Sequence, residues 1–166
     1  MTIHLYFANS LFTILSNFFM KINPKNWAII IPARLGSTRL ARKPLQNLAG
    51  KPLIIRVCDN LKPLMDLGID IHVATDSREI YDVCKKHSYS SFLTSSLHNS
   101  GTERCCEVST LIKKDFIINV QGDEPFLETK DILAIIEKEE ILQQNKIITL
   151  AHSSKDIEDY YNPNSV

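Results

Sequence analysis

AIIIPARLGSTRLARKPL, residues 28–45, decides the reading of the fold. It begins as an apolar run, Ala28 to Ile31, and meets Pro32. A short β-branched run ending at a proline reads as a buried strand, with Pro32 as its stop. A polar loop follows, with cations at Arg34, Arg39, Arg42 and Lys43 and no acidic residue among them. Gly36 permits backbone angles that bring N–H groups close to a ligand. Ser37 and Thr38 add hydroxyl donors. Such a loop at the carboxyl end of a strand suits a polyphosphate. An ordinary solvated basic loop explains the composition equally well.

Outward from this stretch, the 166 residues suffice for one domain with a core. The 19 basic and 19 acidic residues balance, which argues against general nucleic-acid binding. The balance also sharpens the basic cluster, because the rest of the chain is then net acidic. A hydrophobic share of 44% fits a globular α/β protein. Cys58, Cys84, Cys105 and Cys106 form no CxxC pair, and no histidine stands at finger spacing, so a zinc site is not expected. The first three lie in apolar-periodic segments and read as buried thiols suited to a reducing cytoplasm.

Residues 1–26 read as an N-terminal extension. The segment 1–19 is apolar but lacks the basic start of a secretory signal, and Asn9, Ser10, Ser16 and Asn17 interrupt it, so no membrane span is expected. An added helix and a weak targeting segment are the other readings. Met20 is the expected natural start, with the α/β domain covering 27–166.

Along that domain, strands and helices alternate. Leu45–Lys51 reads as an extended piece with a turn at Asn47–Gly50. Pro52 opens a helix that Pro63 and Gly68 close. Asp70–Thr75 is the second strand. Asp76 with Glu79 resembles a capping-box start for a helix to Lys86. Ser91–Thr94 is a third strand, and Thr102–Lys113 a helix. Phe116–Val120 is a fourth strand, apolar enough for the centre of a parallel sheet. Thr129 caps a helix to Gln143. Lys146–Leu150 is a fifth strand, and Ser154–Tyr161 a short helix. The pattern predicts a doubly wound, mostly parallel α/β sheet with helices on both faces. Ligands of such sheets bind beyond the carboxyl ends of the strands. Three polar loops fall there: 33–43, 95–104 and 121–125.

Asp123, after Gly122 at the end of a strand, is placed to hold Mg²⁺ beside a triphosphate, or else to bond its own backbone as a turn residue. Glu124 is the weaker candidate beside Pro125. The loop His98–Arg104 mixes donors and acceptors at a helix start, and reads either as a nucleotide contact or as a routine N-cap with an exposed Arg104. Asp76 reads as a cap.

Four motifs in order resemble one family. IPARLGSTRL with KPL at 31–45, VATD at 73–76, HNSGTER at 98–104 and NVQGDEP at 119–125 look like the 3-deoxy-manno-octulosonate (Kdo) cytidylyltransferases. The closing Asn162–Val166 looks like the start of a further family segment. Sialic-acid cytidylyltransferases share the opening strand and loop but differ at Ser37–Arg39. The resemblance implies a nucleotide-diphospho-sugar transferase-like fold and transfer of CMP from CTP to Kdo, with pyrophosphate released for lipopolysaccharide synthesis. It implies Mg²⁺ held by Asp123, triphosphate contacts from Arg34, Ser37, Arg39 and Lys43, and cytidine contacts from Ser100, Thr102, Arg104 and Gln121. It further implies a cytoplasmic homodimer. Two departures stand out. Ala41-Arg42 occupy the place of the family's Pro-Gly before Lys-Pro-Leu. The family is also longer, so its C-terminal part, with a second metal ligand and much of the sugar pocket, is expected to be missing. A CTP–Mg²⁺-binding remnant without turnover is the alternative expectation.

Overall fold

Every residue of β1, Trp27–Ala33, is buried, and the rest of the sheet is laid against it. The computed structural model describes residues 22–36, 40–142 and 147–148. After β1 come β2 (Asn47–Leu48), β3 (Lys51–Pro52), α1 (Leu53–Asp66), β4 (Asp70–Thr75), α2 (Arg78–Lys86) and β5 (Ser90–Leu93). α3 (Gly101–Leu111), β6 (Phe116–Asn119), α4 (Thr129–Ile136) and the single turn α5 (Glu139–Leu142) complete the series. The main sheet has the order β5-β4-β1-β6, all parallel. β2 and β3 form a separate antiparallel hairpin, turned by Ala49 and Gly50 at φ 50° and 88°. Positive φ at both central positions is the turn that matches strand twist.

A strand covered on both faces needs apolar side chains pointing both ways. Trp27, Ile29, Ile31 and Ala33 join one core with α1, α2 and α4, through residues such as Ile54, Leu61, Ile80, Cys84, Ile132 and Ile136. Ile30 faces the other way, into a smaller cluster with Ala74 and with Cys105 and Val108 of α3. The predicted doubly wound arrangement is therefore present, with three helices on one face and α3 on the other. Ile29, Ile30 and Ile31 are each 0% exposed, and burial of such a side chain contributes about 1.5–3 kcal/mol.

Pro32 does not end the strand, contrary to the expectation. In a parallel strand, alternate residues turn both N–H and C=O to the same neighbour. The Ile30 carbonyl accepts the Val120 N–H at 3.2 Å, so the Pro32 nitrogen faces the same side, where β6 has already ended at Asn119. The missing N–H breaks no ladder bond, and β1 continues to Ala33.

Other expectations shift for local reasons. Pro63 lies inside α1 rather than closing it; it stands on the exposed face, where water reaches the backbone it frees. The cap of α2 is Ser77, whose hydroxyl accepts the Ile80 N–H at 3.4 Å, not Asp76. The third strand begins one residue early, at Ser90, and α3 spans Gly101–Leu111. β6 pairs on one side only among the described residues, with β1, and is only partly buried. Among the described residues it stands at the edge of the sheet. Thr129 is the first residue of α4, not its cap; Glu128 takes the cap position without a side-chain bond, and the helix stops at Ile136. Cys58, Cys84 and Cys105 are buried free thiols as expected, and Cys106 is exposed. Residues 1–21 of the predicted N-terminal extension, with its Met20 start, most of the fifth strand, the helix 154–161 and the segment 162–166 lie outside the described residues.

Candidate active site

At the carboxyl ends of β1 and β6 lies an open cleft of about 420 Å³. Its walls come from three loops far apart in sequence. Pro32, Ala33, Arg34 and Gly36 follow β1, and Lys43 and Pro44 sit in a 3-10 turn, Lys43–Leu45. His98, Ser100, Gly101 and Arg104 surround the start of α3, and Gln121, Gly122 and Asp123 follow β6. The three polar loops picked out in the sequence thus meet at one rim.

Glycine makes that convergence possible. A Cβ at Gly122 would stand 2.8 Å from the Pro32 carbonyl oxygen, closer than a real contact allows. A Cβ at Gly101 would press on the Pro32 ring at 3.1 Å. Pro32 is therefore the post against which both other loops lean.

Ser100 caps α3: its hydroxyl accepts the Glu103 N–H at 3.1 Å, while the Glu103 carboxylate accepts the Asn99 N–H at 2.9 Å. This reciprocal arrangement fixes the helix start, and leaves the positive end of an 11-residue helix beside the cleft. Glu107, one turn further on, accepts the Ser95 N–H at 3.0 Å and pairs with His98 Nε2. The Ser95 amide first, and His98 second, hold its carboxyl below the usual range. Glu107 was not singled out in the sequence. Nothing local marks it; only the folding back of the 95–98 loop gives it a role.

Lys43 forms an ion pair with Asp123 across the cleft, with side chains 38% and 45% exposed. Arg104 is different. Only 3% of its side chain is exposed. Its Nη2 donates to Asp76 Oδ2 at 2.8 Å, and its Nη1 donates to Ser95 O at 3.3 Å and to Thr94 Oγ1. One guanidinium thus ties together the ends of β4 and β5 and the start of α3. Asp76, read as a cap from sequence, is its counter-ion. The exposed Arg104 of the N-cap reading is excluded.

Of the other sequence candidates, Arg34, Ser100 and Gln121 line the cleft, and Thr102 is exposed and does not. Ser37 and Arg39 lie outside the described residues. No group of three or more His, Cys, Asp or Glu among the described residues is arranged to hold a metal. A magnesium ion asks less of the protein, one or two carboxylates with substrate phosphates and water completing its shell. Asp123 fits that requirement. Burial pushes the Cys84 and Cys105 thiols up to about 12 and raises Cys58 well above its ordinary value, so none of these three is a thiolate nucleophile at neutral pH.

A parallel α/β sheet with cations, a helix start and a water-exposed carboxylate at its carboxyl rim defines a nucleotide-phosphate site. Residues 28–166 match the cytidylyltransferase family, and the chain belongs to it. Among curated relatives, the 3-deoxy-manno-octulosonate cytidylyltransferase of Polynucleobacter necessarius is 42% identical over 85% of this chain and 56% of its own length. That of Koribacter versatilis is 40% identical over 82% of this chain and 51% of its own. The chain thus spans about half the length of the relatives it matches. A solved CMP:2-keto-3-deoxy-manno-octonic acid synthetase complexed with CTP superposes with a TM-score of 0.65 at 34% identity, covering 69% of this chain and 48% of that one. A cytidylyltransferase from Leptospira borgpetersenii, 24% identical with a TM-score of 0.57, shares the fold.

Proposed function

We propose that the chain acts in the reaction its relatives are named for, transferring CMP from CTP to Kdo with release of pyrophosphate, in the cytoplasm and for lipopolysaccharide synthesis. The gathering of Arg34, Lys43, Asp123 and the α3 N-terminus at one cleft carries this reading, supported by the likeness to a solved relative that holds CTP. Phosphoryl-type transfer needs positioning and charge neutralisation more than a nucleophilic side chain. Arg34 and Lys43 neutralise the phosphates, and the N–H groups opening α3 add donors without a counter-charge. Gln121 and Ser100 stand at the walls to orient the nucleotide. Arg104 holds the wall rather than the ligand. Asp123 would hold Mg²⁺, which supplies charge neutralisation at the phosphates. Lys43 would leave Asp123 to meet the phosphates, and the exposed carboxylate would then be open to the metal. The homodimer implied by the resemblance belongs to the same proposal.

The test is pyrophosphate release from CTP, Kdo and Mg²⁺, with CTP binding followed by calorimetry. Release supports the proposal. Release with sialic acid but not Kdo reassigns the sugar. CTP binding with no release assigns nucleotide binding without turnover, and neither binding nor release from cooperatively folded protein sinks the reading.

A further inference from the structure

Arg42 has no place among the residues lining the cleft, yet its backbone is the least ordinary among the described residues of the loop. It sits at φ 56°, ψ 30°, the left-handed region that side chains other than glycine rarely adopt. Its carbonyl accepts the Leu45 N–H at 2.9 Å and so closes the turn that carries Lys43 and Pro44. Gln46 Nε2 donates to the Ala41 carbonyl at 3.0 Å and fastens the same turn from the other side. Across 37 positions of sequence, the Arg42 guanidinium forms an ion pair with Glu79 in the first turn of α2. The pair joins two elements that follow different strands, the loop after β1 and the helix after β4.

We propose that Arg42 is a positioning residue, whose ion pair with Glu79 straps the phosphate loop to α2 and thereby sets where Lys43 stands. The inference rests on the nucleotide reading of the cleft. Arg42 contacts no ligand; it narrows the range of positions open to its neighbour, so less freedom is lost when Lys43 meets a phosphate. Side-chain exposures of 55% and 47% keep the pair modest and salt-sensitive.

Glu79→Gln is the decisive variant, because it removes the pair and leaves the backbone at Arg42 untouched. Calorimetry with CTP and Mg²⁺ is expected to show Glu79→Gln and Arg42→Gly both weakening binding, by about two- to fivefold. The charge-exchanged double variant, Arg42→Glu with Glu79→Arg, is expected to recover it, and high salt to erase the difference. In the absence of nucleotide, trypsin cleavage after Arg42 is expected to quicken by a similar factor in Glu79→Gln. If Glu79→Gln binds CTP as tightly as the parent or more tightly while Arg42→Gly loses affinity, Arg42 is itself a phosphate ligand and the strap is overturned. If the parent binds no CTP, the nucleotide reading fails on its own, and an unchanged cleavage rate in Glu79→Gln would still overturn the strap.

Discussion

Lys43 and Arg104 bring positive charge to the same cleft from different elements. Lys43 rides on a three-residue turn, and both it and its partner Asp123 are open to water. An exposed pair of this kind contributes about 0–1 kcal/mol, so a phosphate or a metal can take either member at small cost. Arg104 sits in the first turn of α3, almost wholly buried, with Asp76, Thr94 and Ser95 around its guanidinium. Breaking a buried pair strands a charge in a poor solvent, which costs far more than the pair gains. The contrast teaches that position in a polar motif does not reveal what a cation does. The same charge is a loan where water can replace it and a fixture where water cannot.

Removing the fixture should cost most. Arg104→Ala is expected to lose about 3 kcal/mol of stability, read from the denaturant midpoint, since Asp76 and Thr94 are left without their donor. A variant that keeps its stability and loses only CTP affinity would put Arg104 in the same class as Lys43. The mirror experiment is Lys43→Ala, expected to hold stability within about 0.5 kcal/mol while CTP binding falls by about tenfold or more, the worth of a charge-assisted contact. Calorimetry beside thermal melting separates the two effects. Gly122→Ala tests what holds the two sides of the cleft at their spacing. Its Cβ must push on the Pro32 carbonyl, at an expected cost of about 1–3 kcal/mol, with a parallel loss of CTP binding as the 121–123 loop moves off β1.

The smallest effect concerns the face that supports Arg104. His72 on β4 meets Phe92 edge-on at 5.3 Å, and Phe92 packs on the cluster that seats α3. Its Nδ1 pairs with Ser90 Oγ at 2.8 Å, while Nε2 is buried without a partner. Burial, aided by Lys114 and opposed by Asp70, lowers its pKa below 6.5. Folding therefore favours the neutral ring. That contribution is complete above pH 6.5 and drains away as pH falls through the lowered folded-state value. Denaturant unfolding across this range should show declining stability, and His72→Gln should flatten the decline. A slope unchanged in that variant would assign the acid sensitivity elsewhere.

The local pattern of the chain carried most of the fold. The alternation of apolar runs and turn signals set β1, β4, β5 and β6 and the helices between them, because each element must bury one face and the spacing of apolar residues records which. The three polar loops were legible for the same reason: loops after parallel strands gather at one rim whatever their sequence. Boundaries moved where a partner distant in sequence decided them. Pro32 stays inside β1 only because β6 stops short beside it, and Ser77 caps α2 because Asp76 is drawn away to Arg104.

Residue types and spacing alone determined that a basic loop, a helix start and an Asp-bearing turn would share a sheet end. Only the tertiary structure decided which charges are spoken for. Burial is a property of what surrounds a side chain, and for Arg104, Glu107 and Arg42 the surroundings arrive from other parts of the chain.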